Sequence, residues 1–330
     1  MSVAEKNTND DGESRVSVFV PCYNHGPFVE RCLRSIFAQT LPPRHLLVID
    51  DGSTDDSKNI IERVLKDCPF PSKLISRENR GLCATLNEAI EHMDAEYFAY
   101  IGSDDIWFPD FLKERQKLLD SRSNAVLAFG NAYLLDDEDN VIESTADWAR
   151  ADYVDGDAVE MLLRISVPNS TSVCYRRAAL DDRRWNQDSK LEDYELYLQL
   201  AHDGEFAFDP QVLSAWRMHG YNVSGDLEMM LGEVLETQSH VAKLVGWNAD
   251  KLAAIHRHTR FHFAEDLARR GYRAKAAKLF VSSLTGEPIK SIARMSARLL
   301  IPQTVLRWRA KSSQRKDAER LSLDHVLNNR

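Results

Sequence analysis

The stretch HLLVIDDGSTDDSKNIIERVLK, residues 45–66, decides the fold class of this 330-residue chain. It begins with an apolar run of the length of a buried strand, which ends in the carboxylates of Asp50 and Asp51. Gly52 then allows a tight turn, and apolar residues between 55 and 66 recur at the three- and four-residue spacing of a helix. A strand that passes through a turn into a helix is the first half of a βαβ unit.

The same alternation of apolar runs and amphipathic segments extends from Val16 to about Asn131. Further strands are predicted at 16–22, 72–77, 96–102 and 125–135, and further helices at 27–39, at 82–93 and from about 109. This order predicts an α/β fold with a Rossmann-like, mostly parallel central sheet flanked by helices. Because ligands bind outside the carboxyl ends of such strands, the polar residues there are the candidate site residues.

Beyond residue 150 the pattern is less regular. It predicts helices at 157–165 and 191–204, strands at 170–176 and 212–220, and only helices from about 226. We therefore expect a disordered N-terminal tail at 1–14, an α/β domain at 15–225 and an α-helical C-terminal extension at 226–330.

Charge is distributed unevenly along the chain. Residues 251–330 carry 18 Lys and Arg against 6 Asp and Glu, whereas residues 1–250 carry 24 against 45. The acidic part argues against a nucleic-acid partner. The segment 291–316 interleaves basic and apolar residues, and two interpretations stay open: it lies on an anionic membrane surface, or it packs on the α/β domain with its basic face in solvent.

The sequence carries no sign of a disulfide framework, a zinc site or a membrane span. Its five cysteines are scattered and form no CxxC pair. The N-terminus lacks the apolar core of a signal peptide, and no run approaches the about 18 apolar residues of a spanning helix. We expect a cytoplasmic protein, located at the inner face of the membrane if its basic C-terminal region meets lipid.

Two adjacent carboxylates follow the predicted strand at 96–102. Asp104 and Asp105 stand directly before the apolar residues 106–108, where their repulsion is unfavourable unless a cation or another partner compensates. A solvated turn is the alternative. Because the sequence has no glycine-rich phosphate-binding loop, a bound diphosphate would need Mn²⁺ or Mg²⁺ on these carboxylates to offset its charge.

Acidic residues also begin the predicted helix at 191–204. Glu192, Asp193 and Glu195 lie in its first turn, where the helix dipole favours negative charge. A carboxylate in that position that also borders the crevice can act as a general base. His219, near the end of the last predicted strand, is either structural or a ligand of the proposed metal.

Four motifs in this order resemble the family 2 glycosyltransferases, a group of inverting enzymes that use nucleotide sugars and have the GT-A fold. They are VSVFVPCYNHGPFVERCLRSIFAQT, LLVIDDGSTDDS, YFAYIGSDDIWFP, and EDYELYLQL followed by WRMHG. The resemblance covers about 16–224. It implies the GT-A version of the predicted fold and a nucleoside-diphosphate sugar as donor, most often a UDP-sugar.

By position, the resemblance assigns four residues to the nucleotide. Pro21 and Tyr23 match residues that pack around the base, and Asp51 matches the carboxylate that accepts a hydrogen bond from the pyrimidine N3–H. Arg80, in a stretch similar to the loop and helix beside the donor, is expected to meet phosphate.

The resemblance also assigns the metal site and the base. Asp104 matches the second Asp of the family's DxD motif, whereas Gly102 replaces the first, which leaves fewer metal ligands than the family pattern. Asp105 or His219 are the residues that can compensate. Asp193 matches the catalytic base.

These assignments predict a metal-dependent hexosyltransferase that moves a sugar to an acceptor hydroxyl with inversion. The expected acceptor is a glycan or a lipid-linked glycan in the synthesis of a cell-surface polysaccharide. Two other classes are weighed beside it. Gly102 slightly favours a catalytically impaired sugar-nucleotide-binding scaffold or regulator, whereas the presence of Asp104, Asp193 and His219 together argues against it. A nucleotidyltransferase is disfavoured because no glycine-rich basic loop follows the first strand.

Overall fold

The computed structural model describes residues 14–147, 153–218, 227–300 and 322–323. The strands in these ranges are β1 (Val16–Cys22), β2 (His45–Asp50), β3 (Ser72–Ser76), β4 (Tyr97–Tyr100), β5 (Ile106–Trp107), β6 (Ala125–Leu135), β7 (Val141–Ser144), β8 (Cys174–Arg176) and β9 (Glu205–Arg217). The α-helices are α1 (Gly26–Phe37), α2 (Ser57–Val64), α3 (Leu82–Glu91), α4 (Phe111–Asp120), α5 (Val159–Leu163), α6 (Glu192–Asp203), α7 (Leu227–Leu244), α8 (Ala249–Arg269), α9 (Arg273–Val281) and α10 (Ile289–Leu300).

The strands form one mixed sheet in the order β3, β2, β1, β4, β8, β6, β9, β5, with β7 paired to β6. The first four strands are parallel, as the alternating sequence pattern predicts. β8 runs antiparallel to both β4 and β6, and β6 and β9 are parallel to each other. The strands β2, β1 and β4 therefore end side by side on one edge.

The second half of the sheet differs from the sequence prediction in several places, including the unpredicted strand β7. β8 is shorter than the predicted strand at 170–176, because residues 170–172 form a 3₁₀ turn that begins with a hydrogen bond from the Thr171 N–H to the Asn169 side chain (3.1 Å). β9 starts seven residues before 212 and changes register opposite Gly130 and Asn131. β5 was not predicted, because two residues show no periodicity; it pairs with β9.

Two apolar cores cover the two faces of the sheet. Alternate residues of β2 point to opposite faces: Leu46 and Val48 pack in one core, and Leu47 and Ile49 pack in the other. The second of these cores extends into the C-terminal helices, where it includes Phe261. The C-terminal helices are thus joined to the sheet by continuous apolar packing.

Helix α10 packs against the protein through its apolar stripe. Met295 is fully buried, and Ile292 and Leu299, three residues before it and four after it, pack on the same core. For residues 289–300 the structure therefore agrees with the packed-helix interpretation, and residues 301–316 lie outside the described ranges. Across the described residues, no helix combines the length and the apolar character that a membrane crossing requires.

A buried arginine ties helix α4 to the second half of the sheet. Arg115 is fully buried; its Nε donates to the Ser172 carbonyl oxygen at 3.0 Å, and its Nη1 lies 2.8 Å from Asp209 Oδ2. Gly130 lies opposite. A Cβ at position 130 would overlap the Arg115 guanidinium and stand 2.7 Å from the Asp209 carbonyl oxygen.

We predict that Gly130→Ala lowers the free energy of unfolding by about 1–3 kcal/mol, because the added methyl group overpacks this site. Urea denaturation followed by circular dichroism measures the change. Gly232→Ala is the matched control: nothing lies within 4 Å of its Cβ position in α7, so it should stabilise the protein by up to about 1 kcal/mol. Equal effects of the two substitutions would contradict the packing argument.

Candidate active site

Three adjacent strands bring the predicted motifs to one edge of the sheet. Asp51 follows β2, residues 21–23 end β1, and residues 102–105 follow β4, in the spatial order β2, β1, β4. Neighbouring strands are about 4.8 Å apart, so the motifs after β2 and β4 start about 10 Å from each other. This spacing suits a ligand that spans the end of β1.

Asp51 is 4% exposed and holds the loop that precedes α3. Its Oδ1 accepts the Arg80 N–H at 2.9 Å, and its Oδ2 accepts the Gly81 N–H at 2.9 Å. The loop passes so close to Gly52 (φ +80°) that a Cβ there would lie 2.7 Å from the Asn79 nitrogen. The predicted contact of Asp51 with a base stays a prediction, and the structure adds a positioning role.

Arg77 is the partner of Asp51 that the sequence analysis missed. Its guanidinium pairs with Asp51, donates to Glu88 Oε2 at 3.0 Å and donates to Thr85 Oγ1 at 2.8 Å. The predicted residue Arg80 has a side chain that is 63% exposed, and its nearest carboxylate, on Glu88, is 3.5 Å away. Only the pairing of β3 with β2, which places Arg77 beside Asp51, distinguishes the two arginines.

Pro21 and Tyr23 lie at the end of β1. Pro21 is half-buried, and Tyr23 is 48% exposed, an unusual degree for a large aromatic side chain. Asn24 has a positive φ of 55° and binds the neighbouring turn, since its Oδ1 accepts the Thr54 N–H at 2.8 Å. The tyrosine is thus presented to solvent from a backbone that is fixed on both sides.

The turn after β4 holds two carboxylates in different surroundings. Asp105 is 5% exposed, and its Oδ1 accepts the Arg217 N–H at 2.9 Å. The Asp104 side chain is 14% exposed, with His25 Nδ1 3.5 Å from its Oδ1. Burial, followed by the charge of Asp104, raises the pKa of Asp105 well above its usual value.

The two carboxylates converge over Gly102. A Cβ on this glycine would lie 2.8 Å from Asp104 Oδ1 and 2.9 Å from Asp105 Oδ2. Hard divalent cations take oxygen ligands, and Mg²⁺ and Mn²⁺ commonly use one or two carboxylates together with substrate phosphates. The donor set therefore fits such a cation, although no cluster of three or more His, Cys, Asp or Glu side chains suited to a metal occurs among the residues described. His219 lies outside the described residues.

Arg217 holds this turn in place by hydrogen bonds from β9, a role that the sequence did not reveal. It is 3% exposed; its Nε donates to the Asp104 carbonyl oxygen at 3.0 Å, and its Nη1 donates to the Asp136 carbonyl oxygen at 2.7 Å. It also pairs with Asp139 in the turn between β6 and β7. Its guanidinium lies over the Phe28 ring, 4.6 Å from the centroid.

Asp193 is held at the same edge by two aromatic side chains. Its Oδ1 accepts the Tyr100 hydroxyl at 2.9 Å and the Trp185 Nε1–H at 2.9 Å. Tyr100 is the last residue of β4, so Asp193 is joined directly to the strand that leads into Asp104. Burial raises the pKa of Asp193, and hydrogen bonds from Trp185, Tyr100 and Ser170 oppose this rise.

The other two acids of the first turn of α6 differ from Asp193. Glu195 is 3% exposed and accepts hydrogen bonds from His240 Nδ1 (2.8 Å) and Asn186 Nδ2 (3.1 Å), which makes it structural. Glu192 is half-buried, and burial together with the charge of Asp193 raises its pKa to about 7.

The glycosyl transferase family 2 model matches residues 17–184, and the chain belongs to this family. The chondroitin synthase of Escherichia coli is 24% identical over 216 residues, a match that covers 63% of this chain and 30% of that protein. The chain thus spans less than a third of the length of this relative.

Solved structures share the fold. The mannosyltransferase PcManGT from Pyrobaculum calidifontis, in complex with GDP-Man and Mn²⁺, aligns with a TM-score of 0.55 at 17% identity over 86% of this chain and 79% of that one. Residues 1–349 of S. aureus TarS, in complex with UDP-GlcNAc, align with a TM-score of 0.50 at 15% identity over 82% and 90%. The GT-A fold expected from the sequence, with C-terminal helices, is confirmed.

We predict that Arg77→Met lowers the free energy of unfolding by about 3 kcal/mol, because it leaves the buried Asp51 carboxylate without its cation. Thermal or urea denaturation measures the loss. Arg80→Met, at the exposed arginine three residues later, should change stability by less than about 0.5 kcal/mol. If Arg80→Met were the more damaging substitution, the positioning role would belong to Arg80.

Proposed function

We propose that this protein transfers a sugar from a nucleoside-diphosphate sugar, of the UDP class, to an acceptor hydroxyl with inversion at the anomeric carbon. The arrangement of Asp193 carries the proposal. A carboxylate of raised pKa is held by Tyr100 and Trp185 at the end of the strand that leads directly into Asp104 and Asp105. A base and a cation site beside the end of one strand suit a reaction in which a hydroxyl displaces a nucleoside diphosphate from a sugar.

The nucleotide binds between the ends of β2 and β1 in this proposal. Tyr23 offers an exposed aromatic side chain beside Pro21. The Oδ2 of Asp51 has one lone pair beyond the bond to the Gly81 N–H, which can accept a pyrimidine N3–H. A pyrimidine donor is preferred on this ground. Arg80, exposed at the start of α3, faces the diphosphate.

Asp104 and Asp105 would hold Mn²⁺ or Mg²⁺, which offsets the charge of the diphosphate when bound. The raised pKa of Asp105 fits this role, because a buried carboxyl that is reluctant to ionise alone becomes a carboxylate when a cation compensates it. His219 would be a further ligand. The hexosyl type of the transfer and its dependence on metal belong to the proposal.

Asp193 accepts the proton of the acceptor hydroxyl. The acceptor oxygen forms a bond to the anomeric carbon as the bond from that carbon to the diphosphate breaks on the opposite face, which inverts the configuration. Tyr100 and Trp185 both donate to Asp193, so they orient its carboxylate and leave lone pairs for the acceptor.

The acceptor is proposed to be a glycan or lipid-linked glycan in polysaccharide synthesis, which the similarity to a chondroitin synthase supports. We assign catalysis to 15–225 and an accessory role to the helical part from 226 onward. The basic C-terminal region is proposed to bring the protein to the inner face of the membrane.

We predict that Asp193→Asn lowers turnover about 10²- to 10⁴-fold, because the amide cannot accept the proton. Transfer assays give the rate, and calorimetric titration with UDP should show unchanged donor-site affinity. Glu192→Gln is the neighbouring control. If Glu192→Gln loses turnover and Asp193→Asn does not, Glu192 is the base. If the unaltered protein does not turn over any donor in the presence of Mn²⁺, a binding scaffold is favoured.

Tyr100→Phe tests the hydrogen bond that favours the ionised form of Asp193. Its loss should raise the pKa of Asp193 further, and because the base acts when ionised, the acid limb of the kcat/KM profile should move to higher pH. Tyr97→Phe is the matched control on the same strand, since its hydroxyl donates to Asp120 at 2.6 Å instead. An acid limb that stays in place in Tyr100→Phe would refute the assignment.

A further inference from the structure

A second cavity, of about 480 Å³, lies away from the strand edge, between the turn after α5 and helices α7, α8 and α10. Its volume is within the about 300–1,000 Å³ of small-molecule sites. None of the described residues assigned above to donor, metal or base lines it. Its charged and histidine side chains come from Arg164, His258, His262, Glu265, Asp266, Arg269, Arg270, Glu287 and Arg294.

The wall of this cavity carries an arginine cluster, defined here as Arg269, Arg294 and Arg298. Two of these arginines have a carboxylate within ion-pair distance: Glu265 lies 3.3 Å from Arg294, and Asp266 lies 3.4 Å from Arg269. Arg298, just behind the lining residues, has a buried Nη1 without a hydrogen-bond acceptor. Burial, followed by the charge of Arg269, lowers the pKa of Arg298. Such mutual repulsion is relieved when an anion binds.

A pair of histidines lies in the same wall. His258 and His262 lie one helical turn apart on α8, with their Nε2 atoms 3.0 Å from each other. The Nδ1 of His258 is 2.7 Å from Glu287, and the Nδ1 of His262 is 3.6 Å from Glu265. These contacts occupy the ring nitrogens of both histidines, so the arginines are the groups that can meet an anion.

The turn that contributes Ile165 and Ser166 to the lining of the cavity is strained. Ile165 has φ +60°, a conformation that is unfavourable for a β-branched residue. It follows the last turn of α5 and directs the chain through Ser166, which lines the cavity, to Ser170, whose hydroxyl lowers the pKa of Asp193. One short segment therefore connects the cavity to the proposed base.

We infer that this cavity binds a phosphate-bearing group, a phosphomonoester or a diphosphate. Four arginines line it and Arg298 stands behind them, against the three lining carboxylates and Glu160, which pairs with Arg164, so one positive charge remains without any contribution from the histidines. Arginine forks suit phosphate oxygens. If the proposed function is correct, the phosphate belongs to the acceptor, and the acceptor hydroxyl reaches Asp193 along residues 166–170.

Calorimetric titration with inorganic pyrophosphate, in EDTA so that no divalent cation holds it at the donor site, tests the inference. The unaltered chain should bind, and Arg269→Gln/Arg294→Gln should raise the Kd at least about tenfold, because two charge-assisted partners are lost. Its melting temperature without ligand should fall modestly, because Glu265 and Asp266 each lose a cationic partner, and binding is measured well below that temperature. Lys278→Gln, which removes an exposed charge outside the cavity, should bind as the unaltered chain does.

Vesicles distinguish the source of the phosphate. The site would be assigned to a lipid headgroup if the chain cosediments with phosphatidylcholine vesicles that contain phosphatidic acid but not with phosphatidylcholine alone. The double variant should then fail to cosediment with either. Pyrophosphate binding without cosedimentation would assign it to a soluble phosphate ligand. The inference is overturned if the unaltered chain binds neither probe, or if the double variant binds both as tightly as Lys278→Gln does.

The same variants separate this inference from the proposed function. Donor hydrolysis and the KM for the donor should be unchanged in the double variant, because neither arginine is among the residues assigned to the donor, the metal or the base. Loss of donor hydrolysis in Asp193→Asn with intact pyrophosphate binding would support both proposals independently.

Discussion

The structure depends on how two adjacent carboxylates are accommodated at the end of a buried strand. Asp104 and Asp105 stand between β4 and the apolar residues of β5, where ionisation of both is unfavourable without a partner. Arg217 provides that partner from β9 through its backbone N–H and its guanidinium. The same arginine pairs with Asp139, so the turn that would hold a cation is fixed by the far side of the sheet.

A second set of contacts holds the proposed base, in the first turn of α6, beside the end of the same strand. Tyr100 ends β4 and donates to Asp193, and the rings of Tyr100, Tyr175 and Trp185 pack around this hydrogen bond. Burial raises the pKa of Asp193, while the hydrogen bonds from Tyr100 and Trp185 keep the carboxylate oriented. One short strand thus sets both the position of the base and the position of the carboxylates that would offset a diphosphate.

The structure gives physical reasons for two features of the site, the glycine at position 102 and the second role of Asp51. By the sequence resemblance, Gly102 replaces the first Asp of the family motif, and in the structure the absence of a side chain leaves room for Asp104 and Asp105 over this residue. Asp51, assigned to the nucleotide by resemblance, also anchors the loop before α3 through two backbone N–H groups. Several of these carboxylates therefore serve the architecture of the site as well as its proposed chemistry.

The sequence alone determined the parallel half of the sheet, the helices with strong periodicity, the strand ends that carry Asp51 and Asp104, and the helix start that carries Asp193, because local spacing and turn chemistry specify these features. The tertiary structure decided the remainder: the mixed pairing of β8, the short β5, and the roles of Arg77 and Arg217. These depend on contacts between residues distant in sequence, such as the 113 positions that separate Arg217 from Asp104. Periodicity describes how a segment buries one face, whereas the partner of a buried charge is chosen only when the strands assemble.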